Sequence, residues 1–157
     1  MKVARLTLSD RASAGVYEDL SGPEIERLVG ESGIPVTEWV RLVMADNRED
    51  IEDSLREMAD DLRCDLVLTT GGTGPSSRDV TPDATRAVLD RELPGFGEIM
   101  RSVSFAKVPT AILSRATAGT RGRTLIINLP GNPKAISECL PMLVPAILEA
   151  RRHLKDR

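Results

Sequence analysis

At 157 residues, 41% hydrophobic and 29% charged, the chain is long enough for one globular domain whose core needs no disulfide or metal staple. A net charge of −3 argues against general nucleic-acid binding, and only 3% aromatic residues weakens any case for a base-stacking surface. Cys64 and Cys139 are isolated, without metal-ligand spacing, and are expected as buried reduced thiols. His153, the single histidine, lies near a charged tail and receives no role. Val3 is soon followed by Arg5, Ser9, Asp10 and Arg11, so neither a signal-peptide core nor a membrane span is expected, and a cytoplasmic protein follows.

In chain order, residues 3–8 read as a first strand, followed by a polar stretch to Ser21 that is long for a simple connection, as functional loops often are. Ser21 and Glu24 form a capping-box pattern that predicts a helix ending near residues 30–33. Residues 36–44 read as the second strand. Asp46 follows directly, three residues before Glu49, which fits a helix cap, a strand-end ligand, or both. Ile51, Leu55, Met58 and Leu62 then recur at helical spacing.

Leu66, Val67 and Leu68, with Thr69 and Thr70 behind them, suit a central strand covered on both faces. Gly71, Gly72 and Gly74 permit a sharp turn and close approach of backbone to a ligand. Thr81 is expected to cap the next helix, with Pro82 in its first turn and Asp83 complementing its dipole. Helices are predicted over 81–90 and 95–107, strands over 111–117 and 124–129 joined through 119–122, and a final helix from Pro133 capped by Asn132. Pro141 and Pro145 are expected to kink or interrupt that helix, and residues 151–157 to fray. Strands alternating with helices imply an α/β sandwich with a largely parallel sheet, whose ligands lie beyond the carboxyl ends of the strands. Asp10, Asp46, Asp79 and both glycine loops follow predicted strands and could share one rim.

A strand, a glycine turn and a helix start together suit phosphate, because free amides and the positive helix end act in the same direction. The GGTG run matches neither G-x-G-x-x-G nor G-x-x-x-x-G-K-[ST], and alone is equally compatible with a tight turn beside a solvated Asp79. Two strand-end aspartates beside such a loop suit Mg²⁺, a hard cation held by one or two carboxylates, substrate phosphates and water. The residues by themselves therefore support a nucleotide- or phosphate-binding α/β protein.

The segments TTGGTGPSSRDVTPDAT, LTLSDRASAGVYED, ELPGFGEIMR, PTAILSR and LIINLPGNPKA extend this. In order, and over nearly the whole chain, they resemble the molybdopterin adenylyltransferase family of the bacterial MogA type; close relatives of the MoaB type share most of them. The resemblance implies a three-layer sandwich with a Rossmann-like molybdopterin-binding fold over residues 1–157. It also implies Mg²⁺-dependent transfer of AMP from ATP to the molybdopterin phosphate, with release of pyrophosphate. Carried onto this sequence, the family's catalytic and metal-holding carboxylates are Asp46 and Asp79, and its nucleotide loops are Gly71, Gly72, Thr73, Gly74 and Pro130, Gly131, Asn132, Pro133. Ser104 and Ser114, the latter beside Arg115, match molybdopterin contacts, and Ser9, Asp10 and Arg11 match a substrate- or metal-contacting segment. A homotrimer is the family's usual assembly, with hand-over of the product to a molybdate-insertion protein; neither nucleic acid nor membrane is an expected partner. The alternative is a molybdopterin-binding or scaffolding module of the same pathway without efficient catalysis. Keeping both aspartates favours the enzyme, since carboxylates repel phosphate unless a metal intervenes.

Overall fold

The computed structural model describes residues 1–155. Hydrophobic residues alternate along the central strands, and this alternation fixes the layering. Strand β1 (Lys2–Leu8) sends Val3 to one face and Ala4, Leu6 and Leu8 to the other; β3 (Leu66–Thr70) and β6 (Thr124–Leu129) divide their side chains likewise. Both faces are thus apolar and must be covered. Helices α2 (Ser21–Glu31), α5 (Gly95–Phe105) and α6 (Pro133–Lys155) cover one; α3 (Arg48–Arg56) and α4 (Thr81–Val88) cover the other. The result is a three-layer α/β sandwich.

The six-stranded sheet has the order β2-β1-β3-β6-β5-β4, with β2 at Glu38–Met44, β4 at Arg91–Glu92 and β5 at Ala118–Arg121. Strands β2, β1, β3 and β6 run parallel, whereas β5 is antiparallel to both β6 and β4. In the register, Leu8 lies opposite Met44, Thr7 opposite Thr70, and Thr70 opposite Leu129. The four parallel strands therefore end level, and the segments that follow them emerge on one rim.

A buried polar cluster joins α4 to the sheet. The Asn128 amide donates to the Thr69 hydroxyl at 3.1 Å and the Thr85 hydroxyl at 2.9 Å, and its oxygen accepts from the Thr117 N–H at 3.3 Å. Asn128, Thr69 and Thr85 are fully buried. Because buried polar groups are costly unless paired, this set fixes one placement of α4.

Several boundaries differ from expectation. Asn47, not Asp46, caps α3, its side chain accepting from the Asp50 N–H. Ser21 does not cap α2: its hydroxyl donates to the Gly131 carbonyl, while Asp19 accepts from the Gly22 N–H. Thr81 makes no capping bond and is the first residue of α4 rather than its cap. The strand predicted over 111–117 is instead a 3₁₀ turn (Pro109–Leu113), followed by β5 seven residues after the predicted start. Gly119 is within β5, and the hairpin turns on Gly122 and Arg123, with Gly122 at φ +54° as a Gly-first two-residue turn requires. Pro141 and Pro145 lie inside an unbroken α6. Both are on its exposed side, where carbonyls freed by the missing N–H groups can reach water. The helix also continues to Lys155, so the fraying expected over 151–157 is absent up to that residue; positions 156 and 157 lie outside the described residues. Cys64 and Cys139 are free and buried, as expected.

Candidate functional site

The level strand ends place residues 9–10, 46, 71–74 and 130–133 side by side. After β1, Ser9 caps a short helix α1 (Asp10–Ser13), accepting from the Ala12 N–H, and its hydroxyl meets that of Tyr17 at 2.7 Å. After β2, Asp46 and Asp10 hold each other through backbone. The Asp10 N–H donates to Asp46 Oδ2 at 3.2 Å, and the Asp46 N–H to Asp10 Oδ1 at 3.0 Å. Each carboxylate thus accepts the amide of the other, which holds the ends of β1 and β2 together.

After β3, Gly71 and Gly72 adopt φ of +95° and +65°. A Cβ at Gly71 would strike the Leu8 carbonyl, and one at Gly72 would strike the Thr81 hydroxyl and stand 2.9 Å from Asp46 Oδ1. Only glycine fits either position. Arg115 braces the rest of the loop: its guanidinium donates to the carbonyls of Gly74 and Asp79 and pairs with Asp83, while its N–H donates to the Thr73 carbonyl. A residue expected to touch substrate is thus occupied by the loop itself. Asp79 is held by the Ser76 N–H at 3.1 Å. Arg78 reaches across to Asp10 Oδ2 at 2.6 Å, so one guanidinium offsets part of the charge of the three aspartates.

Electrostatics separates these carboxylates. Burial pushes the Asp46 carboxyl above the usual aspartate range, while its bond from the Asp10 amide acts in the opposite direction. The Arg78 guanidinium, together with the Asp46 amide, holds Asp10 below that range. Asp46 Oδ1 and the Thr81 hydroxyl are both buried without a hydrogen-bond partner.

Two cavities open on the rim. The first, about 410 Å³, lies between α5, the 3₁₀ turn and the start of α6; it is lined by Thr73, Ser104, Ser114, Pro130, Gly131 and Asn132 among others. The second, about 450 Å³, is bordered by Ser9, Tyr17, Asp46, Gly71, Gly72 and Pro133. Gly131 lines both. Ser104 and Ser114 therefore share one chamber, Ser9 and Asp46 the other, with the glycine loop between them. Asp10, Gly74 and Asp79 line neither cavity, nor does Arg11, which is exposed on α1. Tyr17 and the Thr81 hydroxyl are site features that the sequence pattern did not single out; for Thr81 the signal was present, as it closes the same glycine-to-helix segment.

The family described as "Probable molybdopterin binding domain" matches residues 4–149. Over 142 residues the chain is 56% identical to a molybdopterin adenylyltransferase of Helicobacter pylori strain J99, covering 90% of this chain and 81% of that protein. The chain belongs to the molybdopterin adenylyltransferase family. The Escherichia coli K12 member is 50% identical over 140 residues, covering 89% of this chain and 72% of that protein. Among solved structures, MoaB of Thermus thermophilus superposes with a TM-score of 0.89 at 41% identity, covering 99% and 97% of the two chains. A MogA structure superposes at 0.91 with 36% identity, covering 98% and 99%. The family's Rossmann-like, largely parallel sandwich is the fold described above.

Proposed function

We propose that the protein transfers the adenylyl group of ATP to the terminal phosphate of molybdopterin. The observation carrying this reading is the pair of chambers divided by Gly71–Gly74 and Gly131, one bordered by Asp46 and the other by Ser104 and Ser114. Two phosphate-bearing substrates in adjacent chambers would bring their phosphates together over the glycine loop, converting a bimolecular encounter into a positioned one. A pterin phosphate oxygen would then form a bond to the α-phosphorus of ATP as the bond to the β-phosphate oxygen breaks. Adenylyl-molybdopterin and pyrophosphate result.

In this scheme ATP occupies the chamber of Ser9, Asp46, Gly71, Gly72 and Pro133. Molybdopterin occupies that of Ser104, Ser114, Pro130 and Asn132. Amides of the glycine loop would face the phosphates, Thr73 continuing that surface toward the pterin side and Gly74 shaping the turn behind it. Asp46 and Asp79 would hold Mg²⁺ together with phosphate and water ligands, because among the described residues no cluster of three or more His, Cys, Asp or Glu could hold a metal by itself. Asp46 borders the nucleotide chamber, where such an ion would sit. When bound, Mg²⁺ would neutralise charge building on the reacting phosphates. Asp10 orients Asp46 through the amide exchange, Arg78 can leave Asp10 for a phosphate, and Arg115 keeps the loop in shape.

Exposed Ile99, Phe105, Val108, Ile112, Leu113 and Met142 on α5, the 3₁₀ turn and α6 support self-association, for which a homotrimer is our proposal. Hand-over of the adenylylated pterin to a molybdate-insertion protein would follow. The test is pyrophosphate release by purified protein with MgATP, with and without molybdopterin. Release that requires both ATP and pterin, and is lost on chelation of Mg²⁺, is the expected result. Pterin binding without pyrophosphate, where a known relative is active, would place the scaffolding alternative ahead.

A further inference from the structure

Among the described residues, three buried side-chain polar atoms lack a partner, and two of them face the same glycine. Thr81 is fully buried at the first position of α4, and its N–H donates to the Gly72 carbonyl at 3.2 Å. Its hydroxyl points at the place a Gly72 side chain would fill. Asp46 Oδ1 points at that place from the end of β2, 2.9 Å away. One group is a donor without an acceptor and the other an acceptor without a donor, across the space that glycine leaves. Leaving a buried polar group unpaired is costly, so two convergent, complementary orphans are unexpected unless they act together.

We infer that Thr81 is the positioning residue for Asp46. Its hydroxyl supplies, across the space beside Gly72, the hydrogen bond that the inner oxygen of Asp46 lacks. The outer oxygen, already accepting from the Asp10 amide, is thereby turned toward the nucleotide chamber. The Asn128 cluster fixes α4 through Thr85, one helical turn beyond Thr81, so the hydroxyl is presented by a rigid element rather than a loop. Gly72 is needed twice: for its backbone conformation and for the space in which the two groups meet.

This inference deepens the adenylyl-transfer proposal and rests on it only for the effect on turnover. The contact is tested by equilibrium unfolding of Thr81→Val, Thr81→Ser, Asp46→Ala and the double variant Thr81→Val/Asp46→Ala. In the Asp46 background Thr81→Val should lower the folding constant by about fivefold more than in the Asp46→Ala background, a non-additivity typical of contacting groups. Thr81→Ser should stay near the parent. Additive effects, or a serine variant that behaves like valine, would overturn the contact. If Thr81→Val does not fold, Thr81→Ala enters the same cycle, with the same non-additivity expected and the same additivity overturning it. With MgATP and molybdopterin, Thr81→Val should lower kcat about tenfold with little change in the KM for ATP, and Thr81→Ser should restore it. Coupling in the cycle without pyrophosphate release from any variant, the parent included, would sink the adenylyl-transfer proposal while the contact stood.

Discussion

Replacing Asn128 by leucine keeps the side chain's branch point while deleting its own polar atoms from the cluster that fastens α4. Three hydrogen bonds vanish: those to Thr69 and Thr85, and that from the Thr117 N–H. Leucine opens no cavity, so the cost is at least the desolvation of the partners left behind in a fully buried setting, with strain from the larger side chain added to it. The threonine hydroxyls can rotate to soften their share, whereas the Thr117 amide cannot. At roughly 1 kcal/mol for each orphaned group the loss is about 3 kcal/mol, which lowers Tm by about 6–12 °C in a domain of this size. Urea unfolding read by circular dichroism should show the midpoint falling with an unchanged slope. A loss below about 1 kcal/mol would refute the claim that these bonds hold α4. Turnover should fall by more than unfolding accounts for at 25 °C, because Thr81 and the glycine loop lean on the same helix.

Asp79→Asn should reduce pyrophosphate release by about a hundredfold or more with Tm within a few degrees of the parent, since charge is removed without volume; undiminished release by the folded variant would remove Asp79 from the site. Asp46→Asn links catalysis to stability. Because burial raises this carboxyl, the folded protein binds its proton more tightly than the unfolded chain, so the residue's penalty is absent below pH 3.8 and grows as pH rises through the folded value. The variant should therefore be inactive yet melt higher than the parent at pH 7, with the gain disappearing in acid; calorimetric scans across pH check the sign. Arg78→Gln should weaken MgATP binding about five- to tenfold in titration calorimetry and flatten its salt dependence, and unchanged affinity would confine Arg78 to its pairing with Asp10.

What could be read from the chain followed from pattern strength. The central strands were legible because burial on both faces demands continuous apolar runs, and the strand-end aspartates because α/β topology sends such positions to one rim. Strand β5 was not: Ala-Gly-Thr-Arg is short and small, and the alternation just before it belongs to a 3₁₀ turn begun by Pro109. Asp46 and Asn47 are neighbours of equal capping ability, and only the chain's path decides which meets the Asp50 amide. Partnerships across the rim, such as Arg115 with the glycine loop or Arg78 with Asp10, join residues far apart in sequence, and local pattern carries no trace of them. Proline at two exposed positions of α6 defeated a rule that assumes the freed carbonyls have no water to turn to.

Gly131 forms part of the wall of both chambers, and its backbone there is thin enough that a Cβ would approach the Gly71 Cα at 3.4 Å. Inhibitor chemistry inherits this proximity. A compound carrying an adenosine mimic and a pterin mimic on one short, stiff tether would convert two modest affinities into a single intramolecular event, and its grip would depend on tether length as sharply as on either head group. The same partition favours an inhibitor that spans the wall over one optimised for either chamber alone.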